Sequence, residues 1–182
     1  MIIIEDLLKW DEKWRKNTAK FPFDPLREKD ALWETQLLDV RFDVLHSIAA
    51  LLLEMRTAEQ LGEIADVGVL VAYGVRGISW EISSPLDHPL AGPPIYLRAW
   101  TIFDGHPCNT DGLFSLEFGT WPNAEFKLEA ESAGFFAGNI PNLGDIPNYD
   151  SDEETIRAHI ANWHSEFEIR QMSFLDPTVG EC

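Results

Sequence analysis

The feature that most constrains this chain is a strict two-residue alternation that stops at a turn and starts again. Leu113, Ser115 and Glu117 alternate with Phe114, Leu116 and Phe118; residues 119–123 break the run; Phe126, Leu128 and Ala130 then alternate with Lys127, Glu129 and Glu131. Successive side chains of a strand point to opposite faces, so the pattern predicts two half-buried strands joined by a turn. Upstream, Leu38, Val40, Phe42 and Val44 alternate with Asp39, Arg41 and Asp43. A helix over 38–56 also fits, through Val40, Val44, Ile48, Leu52 and Met55. Seven alternating positions favour a strand, a break near Ser47 and a second strand over about 50–56.

Further strands are expected at 67–73 and 78–82, with Gly74 and Gly77 marking a turn or bulge between them. Residues 95–103 read as another strand, and Ala133 to Ala137 as one returning beside 126–131. Residues 167–174 close the series. Asp104-Gly105 and Asp111-Gly112 are turn signals. Residues 83–94 hold four prolines and 138–150 are rich in Asn, Pro and Gly, so both read as loops. Strand–turn–strand spacing of this kind favours antiparallel pairing over βαβ units.

Two helices are expected. Ile3, Leu7, Trp10 and Trp14 share a face over residues 5–16, with acids at the start and bases at the end. Phe21-Pro22-Phe23-Asp24-Pro25 then forms an extended linker. Ser151 with Glu154 reads as a capping box for a second helix running to Trp163, with Ile156, Ile160 and Trp163 on its apolar side. The expected fold class is α+β. It is a single domain over 1–182, with an N-terminal amphipathic helix in 1–20, mainly antiparallel strands over 33–139, and a helix and closing strand over 151–182.

Charge narrows the choice of function. The chain holds 14 Lys and Arg against 31 Asp and Glu, a net charge of −17 in 182 residues. Residues 1–30 are neutral, so the whole excess falls on residues 31–182. Phosphates and anionic lipid would be repelled, which argues against nucleic-acid and membrane partners. A hydrophobic fraction of 45% argues against a disordered acidic tail. Two cysteines, Cys108 and Cys182, make no disulfide framework, and Ile2-Ile3-Ile4 followed by Glu5 and Asp6 makes no signal peptide. Cytoplasmic residence is the expectation.

Reactive motifs are sparse. Asp104, His106, Cys108 and Asp111 are the residue types that bind zinc, and His106 and Cys108 share a side of an extended segment. A polar turn between strands with a buried thiol is the preferred explanation, since a structural zinc site wants four ligands and only this segment offers a cluster. His159 and His164 are five apart, off the four-residue spacing of a helical metal site. Gly77-Ile78-Ser79-Trp80-Glu81 lacks the second glycine of a nucleophile elbow. No P-loop or dinucleotide fingerprint is present, so no cofactor is expected. Of the seven tryptophans, Trp80 and Trp100 read as core or sheet packing, and Trp121, at an expected hairpin tip, as either an exposed interface candidate or a side chain folded back onto the sheet.

These features point to a non-catalytic binding module for a basic protein, as a monomer or homodimer. Small acidic domains of this kind are similar in general character to the immunity proteins that neutralise bacterial toxins. The similarity is one of size, acidity and α+β pattern, and it carries over no residue. The expected partner surface is Asp145, Asp150, Asp152, Glu153 and Glu154, with Trp121 beside them. The alternatives are a metal-dependent hydrolase using Asp104, His106, Cys108 and Asp111, and a carrier of a small apolar ligand.

Overall fold

The computed structural model describes residues 1–9, 21–82, 100–121, 124–149 and 151–176. Eight strands form one antiparallel sheet: β1 (Ile2–Ile3), β2 (Gln36–Asp43), β3 (Ile48–Glu54), β4 (Val67–Ile82), β5 (Trp100–Thr110), β6 (Leu113–Trp121), β7 (Ala124–Asn139) and β8 (Glu166–Leu175). Their order is β1-β8-β7-β4-β3-β2-β5-β6, and β6 also pairs with β7. That last pairing closes a ring of six strands, β2-β3-β4-β7-β6-β5. The ring's narrowest seam is the two-residue pairing of β2 with β5, Gln36 with Thr101 and Leu37 with Trp100. β8 forks away from the ring along the second half of β7.

The expected hairpin alternations fold as read. Over 38–56 the strand reading holds and the helix does not. β2 and β3 are joined through residues 44–47, with Ser47 at a positive φ of 53°. Asp43 Oδ1 stabilises that turn by accepting from the Leu45 and His46 amides at 3.0 and 3.2 Å. Asp111 and Gly112 turn β5 into β6, both at positive φ (56° and 77°), the backbone that an Asp-Gly hairpin turn needs.

Several expectations are corrected. The helix over 5–16 is absent where the chain is described: residues Ile4–Leu8 form a single 3-10 turn, and Lys9 is already extended. Residues 10–20 lie outside the described residues. The structure is sheet-dominated with little helix, because the apolar strands, not the two short helical segments, supply most of the buried surface. Ala133 to Ala137 is no separate strand; β7 continues through it, since nothing in 130–133 breaks an extended chain. Asp104-Gly105 makes no turn but lies inside β5. There Gly105 exchanges backbone contacts with Asp30: the Asp30 amide donates to Gly105 O at 2.8 Å, and the Gly105 amide to Asp30 Oδ1 at 3.1 Å. Gly119 and Thr120 likewise stay in β6. Of the expected 95–103 strand, the described part begins at Trp100 and runs on to Thr110.

The second helix, α1, spans only Glu153–Ala158. Asp152, not Ser151, caps it, accepting from the Thr155 amide at 2.9 Å. The chain leaves the helix at His159, so Trp163 reaches the core from a turn. The proline-rich 21–25 segment is packed rather than free. Phe21 and Asp24 are buried, and Asp24 Oδ2 accepts from Arg27 at 2.5 Å and from Ser173 Oγ at 2.6 Å. The loop expected at 83–94 lies outside the described residues.

Two apolar clusters hold the molecule. The inside of the ring is filled by Phe114, Leu116, Phe118, Phe126, Leu128 and Phe135, among others. A second cluster lies behind the ring, where Ile4, Leu7, Trp163, Phe167 and Phe174 cover the outer side chains of β3 and β4. Fully burying one such Leu or Phe contributes about 1.5–3 kcal/mol.

Candidate functional site

The exposed exterior of the ring is built by four strands in register. Cross-strand neighbours line up as rows. The first row runs Glu81, Glu125, Gly119, Asp104; the second Ser79, Lys127, Glu117, His106; the third Gly77, Glu129, Ser115, Cys108. Side chains on the intervening rows point inward, as Trp80, Phe126 and Phe118 do in one and Ile78, Leu128 and Leu116 in the next. The alternation seen in the sequence thus becomes a wall with an apolar inner face and a polar outer one.

Among the described residues, this wall carries six exposed carboxylates, from Glu81, Asp104, Glu117, Glu125, Glu129 and Glu131, against two permanent cations, Arg76 and Lys127. Lys127 lies 3.5 Å from Glu117, and Arg76 pairs with Glu131. Glu81 stands directly opposite Glu125. Like charges in that position oppose the pairing by a few tenths of a kcal/mol up to about 1 kcal/mol. Asp104 Oδ1 accepts from the Gly119 amide at 2.6 Å, and a Cβ at Gly119 would lie 2.7 Å from that oxygen, so glycine makes the contact possible.

Trp121 pairs with Thr101 at the end of β6 and is 54% exposed. It lies on the same outward parity as Gly119 and Glu117, so it borders the acidic wall. Trp80 and Trp100 meet edge to face at 5.1 Å at the same end of the ring.

The other expected partner residues lie elsewhere. Glu153 and Glu154 belong to α1, and Asp152 caps it. A backbone hydrogen bond from Thr155 holds the Asp152 carboxyl below its ordinary range. Glu153 pairs with Arg157 at 2.7 Å. Asp145 is exposed in the preceding loop, and Asp150 lies outside the described residues. Trp121 is therefore grouped by the fold with the wall.

Asp104, His106 and Cys108 do share the outer face of β5, with Asp111 in the turn beyond it. They are strung along the strand with separate neighbours: Asp104 on Gly119, His106 opposite Glu117, and Cys108 Sγ 2.9 Å from Thr110 Oγ1. Among the described residues no three His, Cys, Asp or Glu side chains gather closely enough to hold a metal ion. His164 Nδ1 lies 3.4 Å from Glu5, and the His159 carbonyl accepts from Arg56 at 2.8 Å.

One groove, of about 570 Å³, is lined by Leu26, Arg27, Cys108, Thr110 and Leu175 with their neighbours. Its one cation is committed to structure: Arg27 donates to Asp24, to Ser173 Oγ at 2.8 Å and to Phe174 O at 2.8 Å. A buried ion pair lies at the far end of β3. Arg56 grips the fully buried Glu54 through two bonds of 2.7 Å and donates to Gly144 O at 2.7 Å and to His159 O. That bidentate contact raises the Arg56 pKa and ties the 140–149 loop and the end of α1 to the sheet.

The wall carboxylates were visible in the sequence as the polar half of the alternation. Their assembly was not, because it depends on the register of four strands and on the closing β6–β7 pair. Among the described residues no helix is long and apolar enough to cross a membrane. Compared with known proteins, the chain matches no family model, no curated protein and no solved structure.

Proposed function

We propose that the protein is a non-catalytic binding module that holds a basic protein partner on the outer wall of β4, β7, β6 and β5. The observation that carries this reading is the register that stacks Glu81, Glu125 and Asp104, then Glu117 and Glu129, on one exposed face. The Glu81–Glu125 opposition gives up some pairing stability and concentrates negative potential. Complementary potential of this kind speeds encounter with a cationic surface and rejects anionic ones. Trp121 at the border supplies a large amphipathic side chain of the type enriched at interface centres, and a partner's Arg or Lys can stack on it. Inhibition of a basic toxin, the role of the immunity proteins that the chain approaches in size and acidity, is the specific form we favour.

The hydrolase and carrier readings draw less support. The inside of the ring is occupied by phenylalanines and leucines, and Asp104, His106 and Cys108 each have their own neighbours.

The test uses the full chain as bait in an extract of the cells that make it. A wall variant, Glu117→Gln with Glu125→Gln and Glu129→Gln, is compared with an α1 variant, Glu153→Gln with Glu154→Gln. A basic protein retained by the wild type and the α1 variant, lost from the wall variant and weakened by salt, is the expected result. Equal retention by both variants, or a retained partner that is not basic, would overturn the reading.

A further inference from the structure

The chain holds two Asp-Gly steps, Asp104-Gly105 and Asp111-Gly112, and both belong to the β5–β6 hairpin. An Asp-Gly step can close on itself. The Gly amide nitrogen attacks the Asp side-chain carbonyl carbon, water leaves and a succinimide ring forms. Water then opens the ring at either carbonyl. One opening gives back Asp; the other gives isoaspartate, in which the main chain runs through the side-chain carbon. One water is lost and one is gained, so the reaction needs no oxidant and no cofactor. It does need an amide free of hydrogen bonds, a carboxyl free to turn and a backbone that brings the two together. Glycine helps because no Cβ shields its nitrogen or restricts its backbone.

The fold withholds these conditions at Asp104. Gly105 is buried inside β5, its amide donates to Asp30 Oδ1 at 3.1 Å, and its carbonyl accepts from the Asp30 amide at 2.8 Å. Asp104 Oδ1 accepts from the Gly119 amide of the neighbouring strand at 2.6 Å. Ring closure there has to break both side-chain bonds and lift Asp104 and Gly105 out of their pairing with Gly119 and Phe118. Each bond that must open first lowers the reactive fraction.

The same conditions are met at Asp111. Asp111 and Gly112 are exposed and make up the turn between β5 and β6, at φ of 56° and 77°. Among the described residues, the Asp111 carboxylate has no hydrogen-bond or ion-pair partner, the Gly112 amide donates to no carbonyl, and a Cβ at Gly112 would meet nothing within 4 Å. The β5–β6 ladder ends at Thr110 and Leu113, so this turn can open while the rest of the sheet stays paired.

We propose that Asp111-Gly112 is a site of spontaneous isomerisation in the folded protein, passing to isoaspartate through a succinimide, and that the fold protects Asp104-Gly105 from the same reaction. Isoaspartate adds one main-chain carbon to a turn that depends on positive φ at both residues. It therefore loosens the Thr110–Leu113 pair and draws Thr110 Oγ1 away from Cys108 Sγ, 2.9 Å from it in the unmodified chain.

The test stores the intact chain at neutral pH and body temperature in heavy-oxygen water. An endoprotease that cuts before Asp but not before isoaspartate then reads both sites, with mass spectrometry of the peptides. The expected result is a growing loss of cleavage before Asp111, each isoaspartate peptide carrying one heavy oxygen. Isoaspartate at Asp111 should exceed that at Asp104 at least about tenfold. In strong denaturant the two sites should react at similar rates, because only the fold tells them apart. Asp111→Gly keeps a turn compatible with positive φ and removes the carboxyl, so it should abolish the product at this site. An intact Asp111 after long storage, equal isoaspartate at both sites of the folded chain, a contrast that survives in denaturant, or isoaspartate without heavy oxygen would overturn the proposal.

Discussion

β4 and β7 each pass through two environments, and their halves differ in kind. The first half of β4 and the second half of β7 are covered on both faces. Val67, Val69 and Val71 lie in the rear cluster, while Leu70 and Ala72 face the inside of the ring. The other halves are covered on one face only, and there Glu81, Glu125, Glu129 and Glu131 meet water. The change falls at Gly74, at a φ of +65°, packed against Glu131. The register of β4 on β7 shifts just beyond it, between Val75 and Gly77, and Arg76 pairs with Glu131 there. A strand covered twice reads as an unbroken apolar run, and a strand covered once reads as an alternation. The same two strands show both patterns because coverage, and not strand identity, sets the pattern.

The comparison can be broken or sharpened by substitution. The largest effect belongs to the covered end. Arg56→Met would leave the fully buried Glu54 carboxylate without its partner, and should cost about 3–5 kcal/mol in denaturant unfolding. A loss under about 1 kcal/mol would mean that water reaches Glu54.

Next comes the contrast itself. Leu52 lies on the outer face of β3 under the rear cluster. Leu52→Ala should cost about 2–5 kcal/mol, while Glu129→Ala on the open wall should stay within about 0.5 kcal/mol. Similar losses at the two positions would erase the distinction drawn between covered and open halves.

At the junction, Gly74→Ala forces a Cβ into the left-handed region and to 2.7 Å from the Glu131 side chain. The carboxylate can swing away, giving up Arg76, but the backbone strain stays, so a loss of about 1–2 kcal/mol is expected. An unchanged melting temperature would show that this position does not need glycine.

The smallest effect concerns pH. Burial pushes the Tyr73 and Tyr149 hydroxyls well above their ordinary range, and at Tyr149 the buried Glu54 carboxylate adds to it. In the unfolded chain both ionise near about pH 10. A folded pKa above the unfolded one leaves stability whole below that pH and removes it as pH rises past it. The unfolding free energy should therefore fall on the alkaline side. The Tyr149 hydroxyl is buried without a hydrogen-bond partner among the described residues. Tyr149→Phe should accordingly be neutral or stabilising by up to about 1 kcal/mol and should lessen the alkaline loss. A destabilised variant would reveal a bond that the hydroxyl makes.

Legibility followed the range of the interactions. The hairpins at 113–131 and 38–54 were readable because period two acts over a few residues, as does the Asp111-Gly112 turn between β5 and β6. The expected helix misled over residues 5–9 because Ile3 and Leu7 fit a helical face as well as a short segment laid across a sheet. Ile4 and Leu7 are buried for the second reason. The acidic α1 segment stood out in the sequence as a candidate partner surface because its charges are consecutive. The wall charges are spread over four strands, and no window of sequence shows them as neighbours. The sequence left Trp121 either exposed or folded back onto the sheet; it is exposed, and its place beside the wall needed the pairing with Thr101.

By itself, then, the sequence determined that this chain makes antiparallel strands, which faces of them are apolar, where the tight turns fall and that the body is strongly acidic. Those properties come from side-chain period, backbone preference and net charge, all of which act locally or as sums. Only the tertiary structure decided that six strands close into a ring, that the register of β4 on β7 shifts just past Gly74 and that separate carboxylates line up as rows. The reason is that register and closure join residues far apart in the chain, and their free energy appears only when those residues meet.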